Sequence, residues 1–257
     1  MKKAALFIAI VFFVFWGVWI IAVPERFISD FIKDSLKKYS RISVDYNGFE
    51  KGIFYNIGIK SVRISYPDNR LIVIIYNLKA GIDFVSFLKL SPGIDFQCNT
   101  KKGNINGNVG FKKGKKGVGP VAQINGSGID ISDLLVVKNF FGIDGTGNID
   151  FDLLKKGKQS EIKFSLNDAN IRGAGLIPLD MFKKARGVLI EEKGLITIKS
   201  LVMEGNGIYA RVKGYIRGNE GNITIELMVN SSSGINPSYL AMLDKYKVSP
   251  GYYIIKR

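Results

Sequence analysis

The sequence predicts a mostly β protein: a single N-terminal transmembrane helix carrying an elongated antiparallel β-sandwich, roll or folded sheet with a few short helices. Three observations predict it. Residues Ala4 to Val23 carry no charge, and at ~1.5 Å per residue such a helix spans about 30 Å, the thickness of a bilayer's hydrocarbon core. Beyond Pro24 the chain alternates apolar and polar residues at the period of a strand. Glycine, asparagine and proline break that alternation at short intervals, as antiparallel turns require. The expected organisation is a cytoplasmic tail (1–3), a transmembrane anchor (4–23), an amphipathic helix (24–40) and a periplasmic all-β domain (41–257).

A cleaved signal peptide would share Lys2 and Lys3 with an anchor. Its apolar core would run for only about 7–15 residues and end in a small-residue site. Here the run is longer and holds Trp16 and Trp19, and Ala22-Val23-Pro24 puts proline where cleavage would fall. The sole cysteine, Cys98, leaves no lipobox. The expectation is an uncleaved anchor. Lys2 and Lys3 face Arg26, Lys33, Lys37 and Lys38 across it, so charge counting does not favour a cytoplasmic tail. Long domains translocate largely regardless of charge, and a short basic tail before an apolar segment resembles a signal anchor. The body is therefore expected outside the cytoplasm.

Glu25 to Ser40 places Phe27, Ile28, Phe31, Ile32, Leu36 and Tyr39 at helical spacing, with Pro24 suited to the first turn. This helix either rests on the membrane or caps one end of the β body. Ile42 to Tyr46 alternates, and Asn47-Gly48 then reads as a turn. Ile57 to Tyr66 and Leu71 to Leu78 flank Pro67-Asp68-Asn69, a hairpin signal. Leu71 to Tyr76 is apolar at every position, so it is either buried on both faces or lines a greasy groove. Val85 to Leu90 reads as a short apolar helix or turn.

Gly93 to Thr100 and Asn104 to Phe111 follow as strands, the second with Ile105, Gly107, Val109 and Phe111 on one face. Lys112-Lys113-Gly114-Lys115-Lys116, the densest basic run, could touch phosphates but reads first as a solvated hairpin tip between strands. Ser132 is expected to cap a helix over Asp133 to Phe140. Ile149, Phe151 and Leu153, then Ile162, Phe164 and Leu166, share faces against acidic and polar neighbours. The clearest strand is Ile208 to Arg217, with Ile208, Ala210, Val212, Gly214 and Ile216 inward, and Ile223 to Val229 repeats it. Asn236-Pro237 opens a helix through Lys247, Ser249-Pro250-Gly251 ends it, and Tyr252 to Ile255 closes the fold.

Formal net charge is +15, and histidine is absent. Such a balance attracts anionic partners, and an anchored chain meets acidic lipid rather than nucleic acid. Much of the excess also reads as solubilising charge. Without histidine there is no histidine-dependent triad and no commonest general base. Ser35-x-x-Lys38 and Ser86-x-x-Lys89 match a serine–lysine pattern without its Lys-Thr-Gly partner. Gly205-x-Gly207-x-x-Ala210 imitates a dinucleotide fingerprint but runs into a strand. Asp144, Asp150 and Asp152 fit no calcium loop. Cys98 reads as a small packed residue. The expectation is no enzyme, no catalytic residue, no metal and no cofactor.

The pattern resembles the N protein family of the type II secretion system (GspN) in its longer form. The resemblance rests on the anchor with Pro24-Glu25-Arg26-Phe27, on Gly52-Ile53 through Ile59, Val62 and Ile64, and on Leu78-Lys79-Ala80 with Val85, Phe87 and Leu88. It continues through Asp168-Ala169-Asn170-Ile171, Ile177-Pro178-Leu179, Ala185 to Leu189, Leu201 to Gly205 and Pro250-Gly251-Tyr252-Tyr253. The same grammar occurs in AsmA-like proteins, whose folded sheets enclose an apolar trough and are associated with lipid movement.

What the resemblance implies is an accessory, structural subunit of a type II protein secretion system in the bacterial inner membrane. It would bind the secretin or inner-membrane platform proteins through periplasmic contacts. The alternative is an AsmA-like lipid-binding or lipid-transfer protein holding phospholipid. In the first reading a second layer closes the sheet's apolar face; in the second that face lines an open trough.

Overall fold

The computed structural model describes residues 10–11, 13–39, 43–68, 70–83, 86, 91–114, 117–134, 144–172, 179–218, 220–230 and 237–256. The chain is mostly β, with few and short helices. It divides into two compact units, Met1–Asn99 and Thr100–Arg257.

In the first unit, described residues from 10 to 17 are α-helical and the coil widens to a π-helix at Val18–Ala22. No helix among the described residues is long and apolar enough to cross a membrane; of the Ala4–Val23 segment, residues 4–9 and 12 lie outside them. Helix α1 (Glu25–Tyr39) starts where the Pro24 carbonyl accepts hydrogen bonds from the Phe27 and Ile28 amides, at 3.1 and 3.4 Å. It lies against strand β1 (Ser43–Lys51). There the Tyr46 hydroxyl donates to the Ser29 carbonyl at 2.6 Å and receives the Ser29 Oγ–H at 2.7 Å. So α1 contacts the end of the sheet, one of the two placements its periodicity allowed.

Strands β1, β2 (Asn56–Ser65), β3 (Leu71–Ile82) and β4 (Gly93–Asn99) pair antiparallel, each with its sequence neighbour. The β2–β3 hairpin stands where Pro67-Asp68 breaks the alternation. Asn47-Gly48, expected to turn the chain, instead lies inside β1. Pairing with β2 continues without a shift on both sides of Gly48, which takes a φ of +70° over the Lys60 side chain. The turn falls later, at Gly52–Tyr55. Leu71 to Tyr76 is half-buried throughout rather than sealed on both faces. Cys98 is buried, as its small apolar character suggests, and burial pushes its thiol pKa up. The Val85–Leu90 segment lies outside the described residues apart from Ser86.

The second unit holds β5 (Asn104–Gly114), β6 (Gly117–Asp130), β7 (Asp144–Lys156), β8 (Gln159–Arg172), β9 (Phe182–Glu192), β10 (Leu195–Gly205), β11 (Ile208–Arg217) and β12 (Glu220–Val229). After helix α2 (Pro237–Leu243) come β13 (Lys247–Ser249) and β14 (Tyr252–Lys256). The strand order is β5 to β12, then β14 and β13. This is an antiparallel meander in a single sheet. The described strands of this unit form no sandwich, because none departs to a second layer. The basic tip is placed as expected: Gly114 pairs with Gly117, and residues 115–116 lie outside the described set.

Asp130, not Ser132, caps the turn after β6. It precedes a 3-10 helix, Ile131–Asp133, and its Oδ1 accepts from the Ser132 amide at 3.0 Å; residues 135–140 of the expected helix lie outside the described set. Asp130 is only 3% exposed, and its Oδ2 meets Lys102 Nζ at 2.6 Å. Burial alone would raise its pKa. The Lys102 and Ser132 hydrogen bonds and the Lys102 charge outweigh that, so the carboxyl titrates below its ordinary range. A depressed folded-state pKa stabilises above the unfolded pKa, and the gain is lost as pH falls through the folded value. Asp130→Asn is therefore expected to cost about 1–3 kcal/mol near neutral pH, with the gap narrowing in acid. Urea titrations of both proteins at neutral and acid pH measure this; a gap that does not narrow would refute it.

Candidate functional site

Side chains alternate across a strand, so each cross-strand row of the second unit lies wholly on one face. One row runs Ile105, Gly126, Phe151, Phe164, Gly187, Leu201, Val212, Ile225 and Ile255, each opposite the next. Beside it stand Gly107, Ile124, Leu153, Ile162, Leu189, Ile198, Gly214 and Ile223. On the other side stand Ile129, Ile149, Leu166, Ala185, Met203, Ala210, Leu227 and Tyr253. No polar side chain interrupts the first two rows. At ~4.8 Å between strands, nine strands make a strip about 40 Å long measured along the sheet.

A bulge in β10 keeps the strip continuous. The register shifts between Ile198 and Leu201, so both side chains reach the same face despite their odd spacing. In the middle, Phe151 and Phe164 stand opposite each other, each ring folded over the glycine on its far side. A Cβ at Gly126 would lie 2.3 Å from a Phe151 ring carbon, and one at Gly187 would lie 2.7 Å from Phe164. Glycine is required at both positions because the rings lie flat on the backbone.

The two faces differ sharply. Asn106, Asn125, Asp152 and Lys163 form a row on the reverse side. Arg211 and Lys213 follow on β11, and Arg186 pairs with Glu204 at 3.3 Å. Water solvates that face. The apolar face is covered unevenly. The row ending in Tyr253 is sealed by Ile131, Met181, Leu240, Leu243 and Tyr246, which leaves Ile129, Ala210 and Leu227 fully buried. Ile208 and Ala210 are thus covered by the 3-10 turn Leu179–Met181 and by α2. Among the described residues, no cluster seals the row through Leu153 and Ile162, which is half-buried except at Ile198. Val109, Phe111 and Val118, further along the same face, are exposed.

In the first unit, the N-terminal helix is clamped to the β1–β2 turn. Trp19 Nε1 donates to the Gly52 carbonyl at 2.9 Å and Trp16 Nε1 to the Ile53 carbonyl at 3.2 Å. Lys51 Nζ reaches the carbonyls of Trp19, Ile20 and Val23 at 2.8, 3.0 and 2.7 Å, groups that a helix end leaves without partners. Trp19 stacks on Tyr55 at 4.9 Å, and the Tyr55 hydroxyl donates to the Phe15 carbonyl. Burial raises the Tyr55 pKa.

None of the motifs weighed in the sequence assembles into a site among the described residues. Ser35 and Lys38 lie on α1; the Ser86 amide donates to Asp83 Oδ1 at 3.0 Å, and Lys89 is outside the described set. Gly205 to Ala210 forms the β10–β11 hairpin, with Asn206-Gly207 at its tip and Gly207 at φ +68°, so no helix N-terminus is available for a phosphate. Asp150 accepts the Gly128 amide at 2.8 Å, and no group of metal-ligating side chains occurs among the described residues.

Fold and surface together define an amphipathic antiparallel sheet with one extended, partly covered apolar face. Comparison of the chain with protein-family models, with curated proteins and with solved structures finds no match.

Proposed function

We propose that this chain is a membrane-anchored envelope protein that binds lipid acyl chains along the apolar face of its second unit, without catalysing a reaction. The single observation that carries this is the pair of rows through Phe151 and Leu153, apolar across eight or more strands and covered by no second sheet among the described residues. A bilayer core of ~30 Å is two acyl layers, so one chain needs about 15 Å, well within the strip. Covering a half-buried Leu or Ile yields about 1 kcal/mol. Ile124, Leu153, Ile162, Leu189 and Ile223 would thus supply roughly 5 kcal/mol before the cost of ordering the ligand. The net charge of +15 suits an anionic headgroup. Anchoring in the inner membrane through residues 4–23, with the body in the periplasm, belongs to the same proposal.

A second reading is the accessory subunit of a type II secretion system, favoured by the segmental resemblance and by the sealed row at Tyr253, where the sheet already closes on its own helices. One experiment separates the two. Leu153→p-benzoylphenylalanine in the full chain, illuminated in cells fed radioactive phosphate, is expected to give a labelled phospholipid adduct, whereas the same probe at Lys163 on the reverse face gives none. A protein adduct at 153 without lipid would favour the secretion reading. The absence of any adduct at position 153 overturns the lipid reading.

A further inference from the structure

We propose that the β1–β2 turn, Gly52–Tyr55, is itself seated in the membrane, with Ile53 and Phe54 at the boundary between headgroups and acyl chains. The inference rests on the reading of residues 4–23 as a membrane anchor and adds a second, independent contact. The argument is one of level along the helix. Phe54 stacks on Trp16 at 6.1 Å, and Trp16 Nε1 is bonded to the Ile53 carbonyl. Trp16 precedes Val23, the end of the apolar run, by about two turns, which at ~1.5 Å per residue is roughly 10 Å of helix. A turn held at Trp16 therefore cannot stay clear of a bilayer that holds the apolar run.

Its exposed surface fits that position. Ile53 is 60% and Phe54 54% exposed, and Ile21 on the neighbouring helix is 86% exposed. An apolar cluster of this kind, beside two tryptophans and a tyrosine, matches the composition of a membrane–water interface. The turn is also built to hold its place. Gly52 N–H bonds the Asn56 carbonyl at 2.8 Å, and Lys51 gathers the helix-end carbonyls. The partner is a lipid surface, and the depth is set by the helix.

The test uses the full chain in vesicles of phosphatidylethanolamine and phosphatidylglycerol, with a bimane probe on Phe54→Cys, on Ile53→Cys and, as control, on Asp68→Cys at the β2–β3 tip. Cys98 is buried, and labelling of the parent chain measures its contribution. Probes at 53 and 54 should be quenched several-fold more by lipid carrying a doxyl group high on the acyl chain than the probe at 68, and shielded from iodide. If both probes are open to iodide while the chain resists carbonate extraction, the seated turn is wrong and the anchor stands. If carbonate releases the chain, the anchor reading fails and this inference with it.

Discussion

Phe164→Asp is expected to empty the apolar strip of lipid. The side chain lies at the strip's centre, opposite Phe151, with its ring over Gly187. A carboxylate there would meet acyl chains, and a charge in hydrocarbon costs about 2.5–3.5 kcal/mol on insertion scales. That corresponds to a loss of affinity on the order of a hundredfold. The lipid adduct at position 153 should fall accordingly, while Phe164→Leu keeps it. Because Phe164 is half-buried and not part of the sealed clusters, the sheet should survive. Circular dichroism of the purified variant checks this. A folded Phe164→Asp chain with undiminished adduct would show that acyl chains do not lie on this face.

Leu227→Ala should have the largest effect on stability. Leu227 is 0% exposed, packed in the cluster that joins Ile208, Ala210, Leu243 and Tyr253. Truncation leaves a cavity that neighbouring strands cannot easily collapse into, at a cost of about 2–5 kcal/mol. The urea midpoint should drop sharply. Leu153→Ala on the half-buried row should cost less than half as much, since water or ligand already fills that space. Equal losses at the two positions would mean that the strip is sealed as tightly as the core.

Which face is apolar was legible in the sequence for β5, β7, β8, β11 and β12, because alternation determines it there, but not for β3, where Leu71 to Tyr76 is apolar at every position. Ile208 to Ile216 and Phe151 with Phe164 stand where their spacing placed them. What lies over that face was not legible. A period of two says that one side avoids water, and a second sheet, a short helix and an acyl chain satisfy it equally. Glycine misled at Gly48, where an Asn-Gly pair usual for a hairpin tip instead fits a local left-handed residue inside β1. The clamp of Trp16 and Trp19 on Gly52 and Ile53 joins residues more than thirty positions apart, and no local pattern carries such a pairing. Asp130 was missed as a cap because Ser132 is an equally good capping type, and only the Lys102 contact distinguishes them.

The meander has a consequence for how the protein is made. Within each unit nearly every strand finds its partner in the strand just before it, so contacts form over short sequence separations and closure costs little entropy. A chain delivered from its N-terminus could lengthen its sheet one hairpin at a time, each new strand templated by the last. Such growth always presents a raw edge to whatever lies nearby. Among the described strands, the one departure from sequence order follows β12. There β14 slips in beside β12, and three-residue β13 covers it with Lys247 at the rim. The short β13 thus caps the edge that β14 would otherwise present.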